Sequence, residues 1–470
     1  MSSSTINRRS FLHASSVIAA GLAAGSSLPL CASAASKDQP NIIWLIADDI
    51  GWRELGCYGH PTIRTPNIDK LAKNGIRFTS AFVNASSCSP SRCSMFTGKH
   101  PHSTGAENLH DSLPADQAIV PELLAPKNYY SGNAGKFHMG QSAAKRFDVL
   151  YNNVNHWGKF FDNRPKDKPF FLYMGFHDAH RPFDRGCIDK PYTHDDIVVP
   201  PYLPDIPEAR EELAGFYDEI TRMDAVIGDI VARLEKDGEL DNTIILFCGD
   251  NGMPFPRAKT TVYDSGIETP LIMQWPKKIK PGQVNDNLVS LIDAAPTTLE
   301  YAGVSIPSDM QGHSLAAEIE DSSLPGAQYI YAEKNWHDLD DHSRGVRDHR
   351  YKYIRNAFPE IPLENSADSS VMPLFQKMRQ MRDEGTLSKE AMLLFRARRA
   401  PEELYDLSRD PWEFKNLVNK PAYQTELKRM RQTMDKWIDE TKDISPSKAL
   451  PDEFHPETGK RIAPPHQNKK

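Results

Sequence analysis

Three continuous apolar runs of strand length, each ending abruptly in polar residues, constrain this chain more than any other feature. Asn41-Ile42-Ile43-Trp44-Leu45-Ile46-Ala47 stops at Asp48-Asp49, Phe170-Phe171-Leu172-Tyr173-Met174-Gly175-Phe176 stops at His177, and Ile244-Ile245-Leu246-Phe247-Cys248 leads into Asp250-Asn251-Gly252. A run without polar alternation suits a strand buried on both faces, the environment of a parallel sheet covered by helices. Between the second and third runs, Leu213, Phe216, Tyr217, Ile220, Met223, Ile227, Ile230 and Leu234 recur at helical spacing. That period predicts an amphipathic helix ending near Lys236-Asp237-Gly238. The succession is α/β, and open parallel sheets place ligands beyond the carboxyl ends of their strands, where these runs deliver Asp, His and Asn.

Length and charge bound what such a core can serve. The chain has 470 residues, enough for a sizeable core in two lobes, and a formal net charge of −7. That balance argues against the broad basic face of a nucleic-acid-binding protein, so affinity for an anionic substrate must come from locally placed Lys and Arg side chains. Residues 1–35 read as a targeting segment: Asn7-Arg8-Arg9-Ser10-Phe11-Leu12 is a twin-arginine pattern, residues 17–30 are weakly apolar, and Ala32-Ser33-Ala34-Ala35 suits cleavage. The apolar stretch is too short and too rich in Ser and Gly to span a membrane, and Leu30 ahead of Cys31 departs from a lipoprotein box. Export to the periplasm or the exterior, without a lipid anchor, is expected. Residues 36–325 form the expected main domain and 326–450 a smaller C-terminal α+β subdomain, in which 347–354 read as one short strand and 374–399 as one charged helix. Residues 451–470 read as a Pro- and Lys-rich tail.

The polar residues at the strand ends have a definite chemistry. Asp48, Asp49, Asp250 and Asn251 offer only oxygen donors, which Ca²⁺ or Mg²⁺ prefers and a structural Zn²⁺ site does not use. Taken singly, either pair is an ordinary turn. Gly135-Lys136-Phe137-His138-Met139-Gly140 sets Lys136 and His138 on one side of an extended segment. The six cysteines, Cys31, Cys57, Cys88, Cys93, Cys187 and Cys248, suggest a thiol with a particular task rather than a disulfide scaffold. Cys248, inside an apolar run, reads as a small buried hydrophobe, and one bridge among the others stays open.

Cys88 opens the segment Cys88-Ser89-Pro90-Ser91-Arg92, which continues to Thr97-Gly98 and resembles the signature of type I sulfatases. The resemblance implies that a formylglycine-generating enzyme, reading Pro90 and Arg92, converts Cys88 to formylglycine (3-oxoalanine) before export. It also implies an alkaline-phosphatase-like large mixed sheet flanked by helices, with a smaller C-terminal subdomain. By the same match Asp48, Asp49, Asp250 and Asn251 hold Ca²⁺, favoured over Mg²⁺, while Arg92, Lys136, His138, His180 and Lys259 complete the pocket. His177 is then a neighbour of His180 held by a hydrogen bond. In the family's mechanism a hydroxyl of the hydrated aldehyde attacks sulfur while His180 and Lys259 assist the leaving alcohol or amine, giving a covalent sulfo-enzyme. His138 then takes a proton from the remaining hydroxyl, which expels sulfate and restores the aldehyde.

Residues 170–181, Val198-Val199-Pro200-Pro201-Tyr202-Leu203-Pro204, Thr221-Arg222-Met223-Asp224 and Asp250-Asn251-Gly252-Met253-Pro254-Phe255-Pro256 resemble the sulfamidase (heparan N-sulfatase) branch, while Glu403-Leu404-Tyr405-Asp406-Leu407 is general to sulfatases. The implied substrate is a sulfated saccharide, N-sulfated glucosamine first, with an O-sulfated polysaccharide as the alternative. Residues 108–111 and 334–347 are expected to line the sugar subsites, with His110, His337 and Arg347 as the contacts. A phosphohydrolase of the wider superfamily would require a Ser or Thr nucleophile and histidines in two zinc sites. An inactive glycan-binding relative would lack a core group. Neither pattern is present at the matched positions.

Overall fold

The computed structural model describes residues 39–464 apart from 364 and 457, so the twin-arginine segment, Cys31 and the last residues of the tail lie outside the described residues. The main sheet and its neighbour use strands β1 (Asn41–Ala47), β2 (Ile76–Phe78), β3 (Ala81–Phe82), β4 (Tyr130–Gly135), β5 (Val149–Tyr151), β6 (Phe170–Gly175), β7 (Thr243–Gly249), β8 (Leu271–Gln274), β9 (Gln283–Asn285) and β10 (Val289–Ser290). Eight of them form one mixed sheet in the order β5-β4-β6-β1-β7-β8-β2-β9, and β3 pairs separately with β10. The three apolar runs are the adjacent central strands β6, β1 and β7, parallel to one another. Ile46 stands opposite both Gly175 and Cys248, and Ala47 opposite Gly249. The strands therefore end level, and the residues after them emerge at one edge of the sheet.

Packing explains that arrangement. All of β6 and β7 and all of β1 after its first residue are buried. Trp44 meets Phe96 of the helix Cys88–Thr97 edge-on, with ring centroids 4.9 Å apart, and its indole N–H donates to Thr298 Oγ1 at 3.1 Å. The helix Pro207–Asp237 buries all eight of its predicted apolar positions. It stops at Gly238, whose φ of 69° is the left-handed conformation that glycine adopts without strain.

The C-terminal subdomain is an antiparallel sheet of β11 (Ile330–Lys334), β12 (Ser343–Arg347), β13 (Tyr351–Asn356) and β14 (Glu402–Asp406). The helix Gln424–Thr441 lays Leu427, Met430, Met434 and Trp437 against Val346, Tyr353 and Leu404 of that sheet. Three expectations need correction here. Residues 347–354 are a hairpin rather than one strand, because Asp348 Oδ1 accepts from the amides of Arg350 (2.7 Å) and Tyr351 (2.6 Å) and turns the chain. The charged helix covers only Pro373–Asp383, since Gly385 takes a φ of 71° and Ala391–Phe395 resumes as a 3-10 turn. The tail, as far as residue 464, packs back: the Pro451 carbonyl accepts from Trp336 Nε1 at 3.3 Å and Glu453 N donates to Asp338 O at 2.9 Å. No helix among the described residues is long and apolar enough to cross a membrane.

Candidate active site

Asp48 and Asp49 follow β1, Asp250 and Asn251 follow β7, and all four are wholly buried. Asp49 leaves its strand with a φ of 58°, which turns its amide onto Asp250 Oδ1 at 3.0 Å. Cys88, the first residue of the helix Cys88–Thr97, points its thiol at Asp48 Oδ1 (3.4 Å) and Asp49 Oδ1 (3.6 Å). Ligand atoms of Asp48, Asp49, Cys88 and Asp250 lie within 4.8 Å of one another. Asn251 Nδ2 donates to Asp49 Oδ1 at 2.8 Å, while its buried Oδ1 has no partner. Three carboxylates and an orphaned amide oxygen form a hard-oxygen donor set that fits Ca²⁺.

A cation accompanies each carboxylate. Lys136 Nζ pairs with Asp48 Oδ2, Lys259 Nζ lies 2.7 Å from Asp49 Oδ2, and Arg92 Nε donates to Asp250 Oδ2 at 2.8 Å. Burial opposes ionisation of Asp48, yet Lys136 and Arg92 hold its carboxyl well below the ordinary value. Burial pushes Asp250 up to about 6 against the pull of Arg92. The Cys88 thiol is driven well above its ordinary value by burial, with Lys136 and Lys259 only partly opposing. An unconverted Cys88 is thus a protonated thiol and a poor nucleophile. Arg92 is itself buried: Nη1 donates to the Tyr173 hydroxyl and the Lys136 carbonyl, and Nη2 lies 2.8 Å from Asp250 Oδ2. It braces the acidic cluster through Asp250 and Asp48.

Two histidines flank the cluster. His180 Nδ1 donates to the Arg181 carbonyl at 2.5 Å, which leaves Nε2 facing Asp49 Oδ2 (3.8 Å) and Asp368 Oδ2 (3.7 Å). His138 is not in an extended segment: Gly135 has φ 96° and His138 φ 55°, so the chain turns between them. His138 Nε2 lies 2.8 Å from His110 Nδ1, and its buried Nδ1 has no partner. Burial first and Lys136 second hold His138 well below its ordinary pKa, so it is neutral. His177 is exposed, and its carbonyl rather than its ring takes the amide of His180 at 2.8 Å.

The sugar contacts expected from sequence divide. His110 is exposed beside His138, its amide on Ser89 Oγ at 2.8 Å, and stands at the mouth of the site. His337 is buried and its Nδ1 meets Ser87 Oγ at 2.7 Å, so it supports the residue before Cys88 instead of facing a sugar. Arg347 is a correction: it is sealed against the Phe82 ring at 4.3 Å, with Nη1 on Asp264 Oδ2 at 2.6 Å. Ser87, Tyr173 and Asp368 were missed. Ser87 and Tyr173 adjoin recognised segments, whereas Asp368 has no motif around it. The five cysteines among the described residues are all free.

Strand ends that bring an oxygen-only acidic cluster, a buried cysteine and three cations together define a hydrolase of anionic esters on an alkaline-phosphatase-like sheet. A family model described as Sulfatase matches residues 40–160 and 148–304, and one described as N-sulphoglucosamine sulphohydrolase, C-terminal, matches 257–361. The chain belongs to the sulfatase family, in its sulfamidase-like branch, and is a hydrolase of sulfate esters or sulfamates. An ulvan-active sulfatase of Formosa agariphila is 32% identical over 457 residues, covering 85% of this chain and 75% of that protein. Human N-sulphoglucosamine sulphohydrolase is 30% identical over 477 residues, covering 89% and 94%. A solved structure in complex with its substrate D-glucosamine-2-N,6-O-disulfate shares the fold, with a TM-score of 0.67 at 21% identity over 87% of this chain and 99% of that one.

Proposed function

We propose that this chain is an exported glycan sulfohydrolase that removes sulfate from N-sulfated glucosamine, using formylglycine made from Cys88 and Ca²⁺ held by Asp48, Asp49, Asp250 and Asn251. The observation that carries this reading is Cys88 itself: wholly enclosed, at a helix N-terminus and against two carboxylates, it has no use as a thiol. Ca²⁺, when bound, supplies positive charge for the sulfate oxygens. Lys136 and Lys259, already at the cluster, neutralise more of the same charge. His180 is fixed through Nδ1 with Nε2 turned inward, as a proton donor to the leaving atom requires. His138, neutral and with a free buried Nδ1, suits the later proton removal. The human relative's name supports an N-sulfated substrate. The Formosa relative's name favours the alternative, an O-sulfated polysaccharide.

Sulfate release decides between them. The full chain, co-expressed with a formylglycine-generating enzyme and with Cys88 conversion verified by mass spectrometry, is given glucosamine saccharides carrying only N-sulfate or only O-sulfate. Release from the N-sulfated sugar is expected, and Cys88→Ala should abolish it. Release only from O-sulfated sugars moves the substrate to the alternative, and no release by fully converted enzyme overturns the glycan reading.

A further inference from the structure

Asp368 lies in the short helix Ala367–Ser370, within the segment between β13 and β14. That helix is firmly held: Asp368 Oδ1 accepts from Ser369 N (2.7 Å), Ala367 N donates to Asp338 Oδ2 (3.0 Å), and the Ser369 hydroxyl reaches Pro254 O (3.4 Å). Pro254 O also accepts from Arg181 Nε at 2.6 Å, so the segments bearing Asp368 and His180 share an anchor. Asp368 Oδ2 faces His180 Nε2, and the side chain is 32% exposed. Cys88 touches Asp49, Asp49 meets Lys259, and His180 Nε2 lies 3.8 Å from Asp49 Oδ2 and 3.7 Å from Asp368 Oδ2. With sulfur at Cys88, a leaving atom that takes its proton from His180 Nε2 comes within reach of Asp368 Oδ2.

Hydrogen-bonding polarity then separates the two kinds of substrate. A carboxylate only accepts. The bridging oxygen of a sulfate ester has only lone pairs and would oppose Asp368 acceptor to acceptor. The bridging nitrogen of a sulfamate carries an N–H. As the S–N bond breaks, its electron pair stays on nitrogen, which takes a proton from His180 and departs as an amine. A second proton from solvent makes it ammonium, a stronger donor to a carboxylate than the sulfamate was. The contact therefore tightens along the reaction, as a contribution to rate requires.

We propose that Asp368 selects N-sulfate over O-sulfate by accepting a hydrogen bond from the sulfamate nitrogen through Oδ2. This rests on the sulfamate reading above and names the residue that enforces it. A role confined to positioning His180 is distinguishable, because Asn retains a carbonyl acceptor of the same shape but loses the charge.

The test compares the converted full-length wild type with Asp368→Ala and Asp368→Asn, using glucosamine N-sulfate and glucose 2-O-sulfate, an alkyl ester with no N–H at the scissile bond whose leaving alcohol needs the proton of His180 as the amine does. The ratio of kcat/KM for the two substrates should fall about 30-fold or more in the Ala variant and recover about tenfold of that in the Asn variant. Glucosamine binding to Cys88→Ala protein, measured by calorimetry, should weaken at least about tenfold when Asp368→Ala is added. Equal losses on both substrates without rescue by Asn would make Asp368 a support for His180 and overturn the proposal. An unchanged ratio would overturn it as well. Wild type that cleaves only O-sulfated sugars defeats the sulfamate reading itself, and that result is read before any variant is made.

Discussion

Glu54 is 8% exposed beside a cavity of about 250 Å³ lined by Trp52, Tyr58, Tyr217 and Trp412, and its Oε2 has no hydrogen-bond partner. Burial pushes this carboxyl up to about 7, with Arg53 opposing. The folded value lies above the ordinary 4.5, so burial costs nothing below that pH, where both folded and unfolded chains are protonated. The cost then grows until about pH 7 and stays constant above. Glu54→Gln should therefore stabilise the protein by up to about 3 kcal/mol at pH 8 and by little at pH 4. Urea denaturation at the two pH values checks this, and a gain independent of pH would exclude titration of Glu54 as its source. Asp48, as deeply buried, differs because Lys136 and Arg92 hold its carboxyl well below the ordinary value. Those cations and carboxylates were legible in the sequence because each follows an apolar run or a motif. Asp368 and the support from His337 were not, because both depend on chain segments distant in sequence that only tertiary packing brings to the site.

At the scale of elements, the site depends on strands that stop level. Gly175, the last residue of β6, shows how tightly that edge is built: a Cβ there would stand 1.8 Å from the Lys136 carbonyl oxygen and 3.1 Å from Arg92 Nη1. The obstacle is backbone, and the Lys136 amide is also bonded to Gly175 O at 2.7 Å, so relief has to displace Lys136. Gly175→Ala should lower sulfate release about a hundredfold while costing about 1–3 kcal/mol of stability. Paired rate and melting measurements test it, and a variant that loses stability but keeps its rate would show that Lys136 need not stay where it is. The central strands were readable because burial on both faces leaves no polar interruption. The β12–β13 hairpin was not, since its turn, Asp348-His349-Arg350, has no glycine or proline and is closed by one carboxylate. The helix after Pro373 was read too long because Lys, Glu, Arg and Leu continue beyond Gly385 and propensity alone does not stop there.

For the whole molecule, the question is what fastens the second sheet to the first lobe. Asp264, from the segment that follows the acidic cluster, meets Arg347 of β12 at 2.6 Å and Lys352 of β13 at 2.8 Å. Lys352 also reaches Glu413 at 3.0 Å, and Glu413 Oε2 accepts the amide of Asp264 at 2.7 Å. Burial works against the Asp264 charge, and Arg347 and Lys352 nonetheless hold its carboxyl below the ordinary value. Such a cluster adds little compared with an apolar packing, but removing one member leaves the others buried and uncompensated. Asp264→Asn should therefore destabilise the protein by about 3–5 kcal/mol. It should do so in one cooperative transition, because His337 and Asp368, which precede and follow β12–β13, are tied to Ser87 and His180 of the first lobe. Denaturation followed by both tryptophan fluorescence and sulfate release tests this. Coincident curves at a lower midpoint are the expected result. An early fluorescence step that leaves activity intact would mean that the first lobe holds a working site without the second sheet.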